Sequence, residues 1–194
     1  ALPPKLKINN EGAVNFDGTN DYINISGFNL NTVLSGDDIT ISMWINPTAG
    51  TFGDGEGNMG IISGYVASGG TADGRWGWWI VDDSAGYGGT DNHLQFRSHG
   101  NNKTLDSTTA LVGGNWYHIA ITYVDGGAGA SGTAKLYVNG VLEDTATSVY
   151  SLATDVAITP ALSGGGSNIN YEGKMKDIRI YDSDLGASNI AILS

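Results

Sequence analysis

The side chains of this 194-residue chain best suited to hold a polar ligand are its five Trp and three His. Trp76-Gly77-Trp78-Trp79 places three indoles within four residues, while Trp44 and Trp116 stand apart. An indole offers a flat apolar face and one N–H donor. A sugar ring, with C–H faces and a rim of hydroxyls, is complementary to such a platform set beside hydrogen-bonding side chains. Strand alternation supplies those neighbours: His93, Gln95 and Arg97 point away from Leu94 and Phe96. By the same rule Trp116 and His118 point away from Tyr117 and Ile119, and Tyr137 points away from Leu136 and Val138. Trp76 and Trp78 share one face and Trp79 takes the other, so at least one of the three is expected at the surface. The candidate binding set is Trp44, Trp76, Trp78, His93, Gln95, Arg97, Trp116, His118 and Tyr137.

Catalytic templates fail. Glycoside hydrolysis needs two carboxylates flanking the scissile bond. The four Glu (Glu11, Glu56, Glu143, Glu172) form no such strand motif, and most Asp fall in turns, where Asp is expected. There is no Gly-x-Ser-x-Gly elbow and no His-Glu-x-x-His. Gly55-x-Gly57-x-x-Gly60 matches a dinucleotide fingerprint in letters only, since it precedes a strand rather than opening a helix. Without cysteine, thiol chemistry and disulfides are absent. Nine Lys and Arg against twenty Asp and Glu leave a net charge of -11, which repels phosphate backbones and anionic lipid. Nucleic acid is thus not an expected partner. No apolar run reaches the ~18 residues that read as a membrane span.

The elements that must position these residues are strands. In Ile39-Thr40-Ile41-Ser42-Met43-Trp44-Ile45 the period is two, with Ile39, Ile41, Met43 and Ile45 on one face. Comparable runs are 13–16, 21–25, 60–65, 76–81, 93–98, 116–123, 134–139 and 174–181. Asp17-Gly18-Thr19-Asn20 and Asn139-Gly140 read as hairpin turns, because Asn, Asp and Gly tolerate left-handed backbone. Only Ser188–Leu193 has the pattern of a short helix. Ten or so strands and one terminal helix make an all-β sandwich or barrel. Residues 1–11, with Pro3-Pro4, are expected to be an arm or linker remnant, and residues 12–194 one domain. The Gly-rich stretches 50–58, 82–92 and 126–132 are expected loops.

Three segments carry a family resemblance. They are Asn15-Phe16-Asp17-Gly18-Thr19-Asn20-Asp21-Tyr22-Ile23 with the following Ile39–Ile45 run, Trp116–Tyr123 continuing to Leu136-Tyr137-Val138-Asn139-Gly140, and Gly173–Tyr181. In this order they resemble the laminin-G-like branch of the concanavalin A-like lectin/glucanase superfamily, over roughly residues 12–193. The resemblance implies a jelly-roll sandwich of two antiparallel sheets. It also implies a structural Ca2+ held by Asp177 in Asp177-Ile178-Arg179-Ile180-Tyr181, with Asp17 or Asp21 as partners from the N-terminal hairpin. The expected role is non-catalytic binding of a carbohydrate or cell-surface partner. The alternative is a decoration protein on a virion or other assembly, possible as a homo-oligomer. Either role would place the chain outside the cell or on a virion surface.

Overall fold

The period-two pattern of Ile39–Ile45 is realised in a computed structural model as a central strand of one of two sheets. The structure describes residues 12–19, 21–23, 38–48, 58–65, 76–82, 89–98, 103–126, 131–149, 157–160 and 170–194; for 64–65 and 157–160 it describes the backbone alone. Among the described residues eleven strands follow in chain order: β1 (Val14–Asp17), β2 (Ile39–Pro47), β3 (Met59–Tyr65), β4 (Trp76–Ile80), β5 (His93–Ser98), β6 (Lys103–Ala110), β7 (Tyr117–Val124), β8 (Gly132–Val138), β9 (Val141–Val149), β10 (Ala157–Pro160) and β11 (Glu172–Tyr181). A terminal helix, α1 (Gly186–Leu193), closes the chain.

The strands form two sheets, six in the order β1-β11-β2-β7-β8-β9 and five in the order β10-β3-β4-β5-β6. All pairings are antiparallel, so the fold is the expected jelly-roll sandwich. The core lies between the sheets. Ile39, Ile41, Met43 and Ile45 of β2, with Tyr117, Ile119, Ile121 and Tyr123 of β7, meet Trp76, Trp78 and Ile80 of β4 and Leu94 and Phe96 of β5. Burial of such side chains contributes on the order of 1.5–3 kcal/mol each before the entropy of ordering is counted.

Local chemistry sets the turns and the seams. Asn139 (φ 48°) and Gly140 (φ 77°) form the two-residue connection between β8 and β9, as their types require. Asp17 accepts a bond from the Thr19 N–H at 2.8 Å, but β1 pairs with β11, so Asp17–Thr19 joins no neighbouring strands among the described residues. Residues 21–23 are not strand, and 24–25 lie outside the described residues, as do residues 1–11 and most of the three Gly-rich stretches. Helix α1 begins two residues before its expected start and lies on the outer face of the six-stranded sheet. Its Ile190 packs on Ala120 and Tyr137 there. Thr40 anchors the approach: its hydroxyl donates to Ser183 O (2.7 Å) and accepts from the Leu185 N–H (3.1 Å).

Candidate functional site

The nine candidate binding residues divide among three places. Trp76 and Trp78 are core: they are 1% and 0% exposed, and Trp76 stacks on Phe96 with centroids 6.0 Å apart. The alternation that separates them from Trp79 is correct, but their shared face is the inner one. His93, Gln95 and Arg97 lie on the outer face of the five-stranded sheet. Trp44, Trp116, His118 and Tyr137 lie on or beside the outer face of the six-stranded sheet. The two outer faces are opposite sides of the sandwich, so no single ligand spans both groups.

On the five-stranded sheet Trp79 pairs with Gln95 and Gly77 with Arg97. A Cβ on Gly77 would come within 2.6 Å of the Trp79 ring, so the indole lies over this glycine. Gln95 Nε2 donates to Asp106 Oδ1 at 2.8 Å, and His93 Nδ1–H donates to Asp91 O at 2.7 Å. Trp79 and Gln95 are both buried. This face has polar groups beside an aromatic ring, but the ring is buried and both Gln95 and His93 are already engaged.

On the six-stranded sheet the register places Trp44 between Lys176 of β11 and His118 of β7. Trp44 and His118 meet edge to face, with centroids 5.5 Å apart. Lys176 Nζ lies 5.6 Å from the Trp44 ring centroid and 4.5 Å from that of Trp116, a cation shared by two indoles. Trp44 and Trp116 are half-buried. Beside them a small pocket opens, lined by Ser42, Trp44, His118, Asp177, Arg179 and Leu193. Tyr137 is on the same face but buried beneath α1, so it takes no part.

A β-bulge shapes this pocket. Lys176 pairs with Trp44 and Arg179 with Ser42, so three steps on β11 answer two on β2. Asp177 takes up the difference at φ 50°, a left-handed conformation that Asp tolerates better than most residues. The bulge sets Asp177 and Arg179 side by side in the pocket lining. Arg179 Nη2 lies 3.5 Å from Asp177 Oδ1, with both side chains about half exposed. The Tyr181 side chain and then Asp177 hold the Arg179 pKa above its ordinary range.

His118 lies in the pocket lining, nearly out of solvent. Asn139 fixes its backbone: the His118 N–H donates to Asn139 Oδ1 (3.0 Å) and the Asn139 N–H donates to His118 O (2.7 Å). The residue is 2% exposed, and its buried Nδ1 has no hydrogen-bond partner among the described residues. Burial, reinforced by the Arg179 charge, lowers its pKa from 6.5 and keeps the imidazole neutral at pH 7. Ser42, His118 and Asp177 have the residue types of a hydrolytic triad, yet no hydrogen bond joins them in the relay that such catalysis needs.

The expected calcium set does not assemble. Asp17 pairs with Glu172 at one end of the β1–β11 ladder, while Asp177 lies five residues further along β11, about 16 Å at strand rise. Asp17 and Asp21 do meet, through a bond from the Asp17 N–H to Asp21 Oδ2 (3.0 Å), but without Asp177. Among the described residues no group of three or more His, Asp or Glu is placed to hold a metal ion.

The sandwich and its family now coincide. The chain belongs to the concanavalin A-like lectin/glucanases superfamily, matched by its laminin G family model over residues 17–191. No curated protein sequence matches the chain. Among solved structures it is similar to the carbohydrate-binding module CBM40 of a Ruminococcus gnavus sialidase, determined bound to α2,3-sialyllactose. That likeness is at 16% identity and TM-score 0.62, over 90% of this chain and 96% of that one. It is also similar to domain 4 of AbnA, an extracellular arabinanase of Geobacillus stearothermophilus, in complex with arabinotriose. Here the identity is 17% and the TM-score 0.55, over 93% and 86% of the two chains. A SAP-like pentraxin from Limulus polyphemus matches at 15% identity and TM-score 0.56, over 80% and 68%. At these identities the likeness is one of fold. No described helix is long and apolar enough to cross a membrane.

Proposed function

We propose that this chain is a non-catalytic carbohydrate-binding module and that the pocket beside Trp44 is its sugar site. The observation that carries the reading is the small pocket on the outer face of the six-stranded sheet, where the half-buried Trp44 indole stands with Ser42, His118, Asp177 and Arg179. Trp44 supplies the apolar face for the sugar ring, and Ser42, Asp177 and Arg179 supply hydrogen bonds at the rim. Two of the similar structures carry oligosaccharides, which supports the reading for the fold in general. An extracellular setting fits that role. The virion-decoration alternative receives no support from the matched structures.

The test is binding to a broad glycan panel followed by calorimetry on the best ligand. Trp44→Ala is expected to weaken binding by about tenfold or more, the loss of one stacked aromatic wall, with the far-ultraviolet dichroism unchanged. Silence across the panel, or a Trp44→Ala variant that binds as the parent does, would remove this pocket from the account.

A further inference from the structure

We propose that the pocket receives a carboxylate carried on a sugar ring, with Arg179 as its principal partner, an inference that rests on the sugar-site reading above. Arg179 already accepts a carboxylate: the side chain of Asp177 lies 3.5 Å from its Nη2. That carboxylate is internal, about half exposed, and presented by a residue held at φ 50° on a bulge. An ion pair this exposed contributes little to stability, so an incoming carboxylate can share or replace Asp177 at small cost. Guanidinium geometry favours two parallel bonds to a planar carboxylate, which a sugar hydroxyl cannot reproduce.

A second polar group of the pocket suits an anion too. The Ser42 hydroxyl, which lines the pocket, can donate to it. Charge distribution points the same way. In a chain of net charge -11, four of the nine Lys and Arg (Lys135, Lys174, Lys176 and Arg179) sit at outward positions of the six-stranded sheet. Lys174, Lys176 and Arg179 are on β11 itself. Asp17, Glu172 and Asp177 stand outward on the same sheet, so the attraction for an anion is local to Lys176 and Arg179 beside the pocket rather than a property of the whole face.

The carboxylate could belong to a sialic acid or to a uronic acid, and paired probes separate the two sources. Calorimetry would compare sialyllactose with lactose, and trigalacturonate with its methyl ester. The acidic member of at least one pair is expected to bind about tenfold more tightly or better, the value of one charge-assisted bond. Arg179→Met should close that gap. Asp177→Asn, which removes the internal carboxylate and leaves the Tyr181 contact in place, should widen it without tightening the neutral member. Both side chains are half exposed, so the variants are expected to fold, and circular dichroism checks this. Equal affinity within both pairs overturns the carboxylate inference and leaves a neutral-sugar site. So does Trp44-dependent binding of other neutral glycans with none of the four probes bound. Silence on the whole glycan panel overturns the sugar site itself.

Discussion

His118 shows how one residue links burial to recognition. It sits where β7 passes under Trp44, nearly out of solvent, beside Arg179 and Asp177. Because burial, then Arg179, lowers its pKa from 6.5, the folded state takes up the imidazole proton less readily than the unfolded chain does. The sign follows: this contribution is intact above about pH 6.5 and is lost as pH falls below it toward the lowered folded value. Thermal melts from about pH 8 down to about pH 5 should show a loss that His118→Gln reduces. An unchanged profile in that variant would mean that the imidazole is not the group responsible. Sequence patterning identifies Trp44 and His118 as outward residues. It does not show that Trp76 and Trp78 face inward, because alternation fixes which residues share a face but not which face is the core.

At the scale of elements, the seam between β6 and β9 joins the free edges of the two sheets. Glu143 of β9 accepts from the Thr108 N–H (2.8 Å), the Thr109 N–H (3.0 Å) and the Thr109 hydroxyl, and Asp144 accepts from the Asp106 N–H (2.9 Å). These carboxylates occupy edge amides that would otherwise be open to another strand. Glu143→Ala removes all three of its bonds and should cost about 1–3 kcal/mol in urea unfolding. A cost near zero would mean that water replaces the carboxylate without loss. Neither strand stands out in the sequence. Lys103–Ala110 offers Leu105 as its one large apolar residue, and Val141–Val149 buries only Val149. Edge strands lack the second buried flank that makes β2 and β7 legible. The bulge at Asp177 is equally hidden, since Lys176, Asp177 and Arg179 read as ordinary alternation until the register slips. That slip, which no spacing rule reveals, forms the pocket rim.

For the whole molecule, the two outer faces have different uses. On the six-stranded sheet α1 packs Ile190 on Tyr137 and Ala120 and places Leu193 at the pocket wall. Ile190→Ala should therefore lower stability by about 2–5 kcal/mol, the usual range for a buried large apolar residue. It should also loosen the Leu193 side of the site. A variant that keeps both stability and affinity would show that the helix is only draped on the sheet. The five-stranded sheet instead turns Trp79, Gln95 and Arg97 outward on the opposite side, the alternative surface for a ligand of this fold. The central claim is thus a choice of face. Nitrogen-detected chemical-shift mapping during titration with the best-binding oligosaccharide makes that choice directly. The account expects shifts at the Trp44 and Trp116 indoles, the His118 ring nitrogens and the Arg179 guanidinium. Shifts confined to the Trp79 indole and the Gln95 and Arg97 side chains would contradict it and move the site to the other sheet.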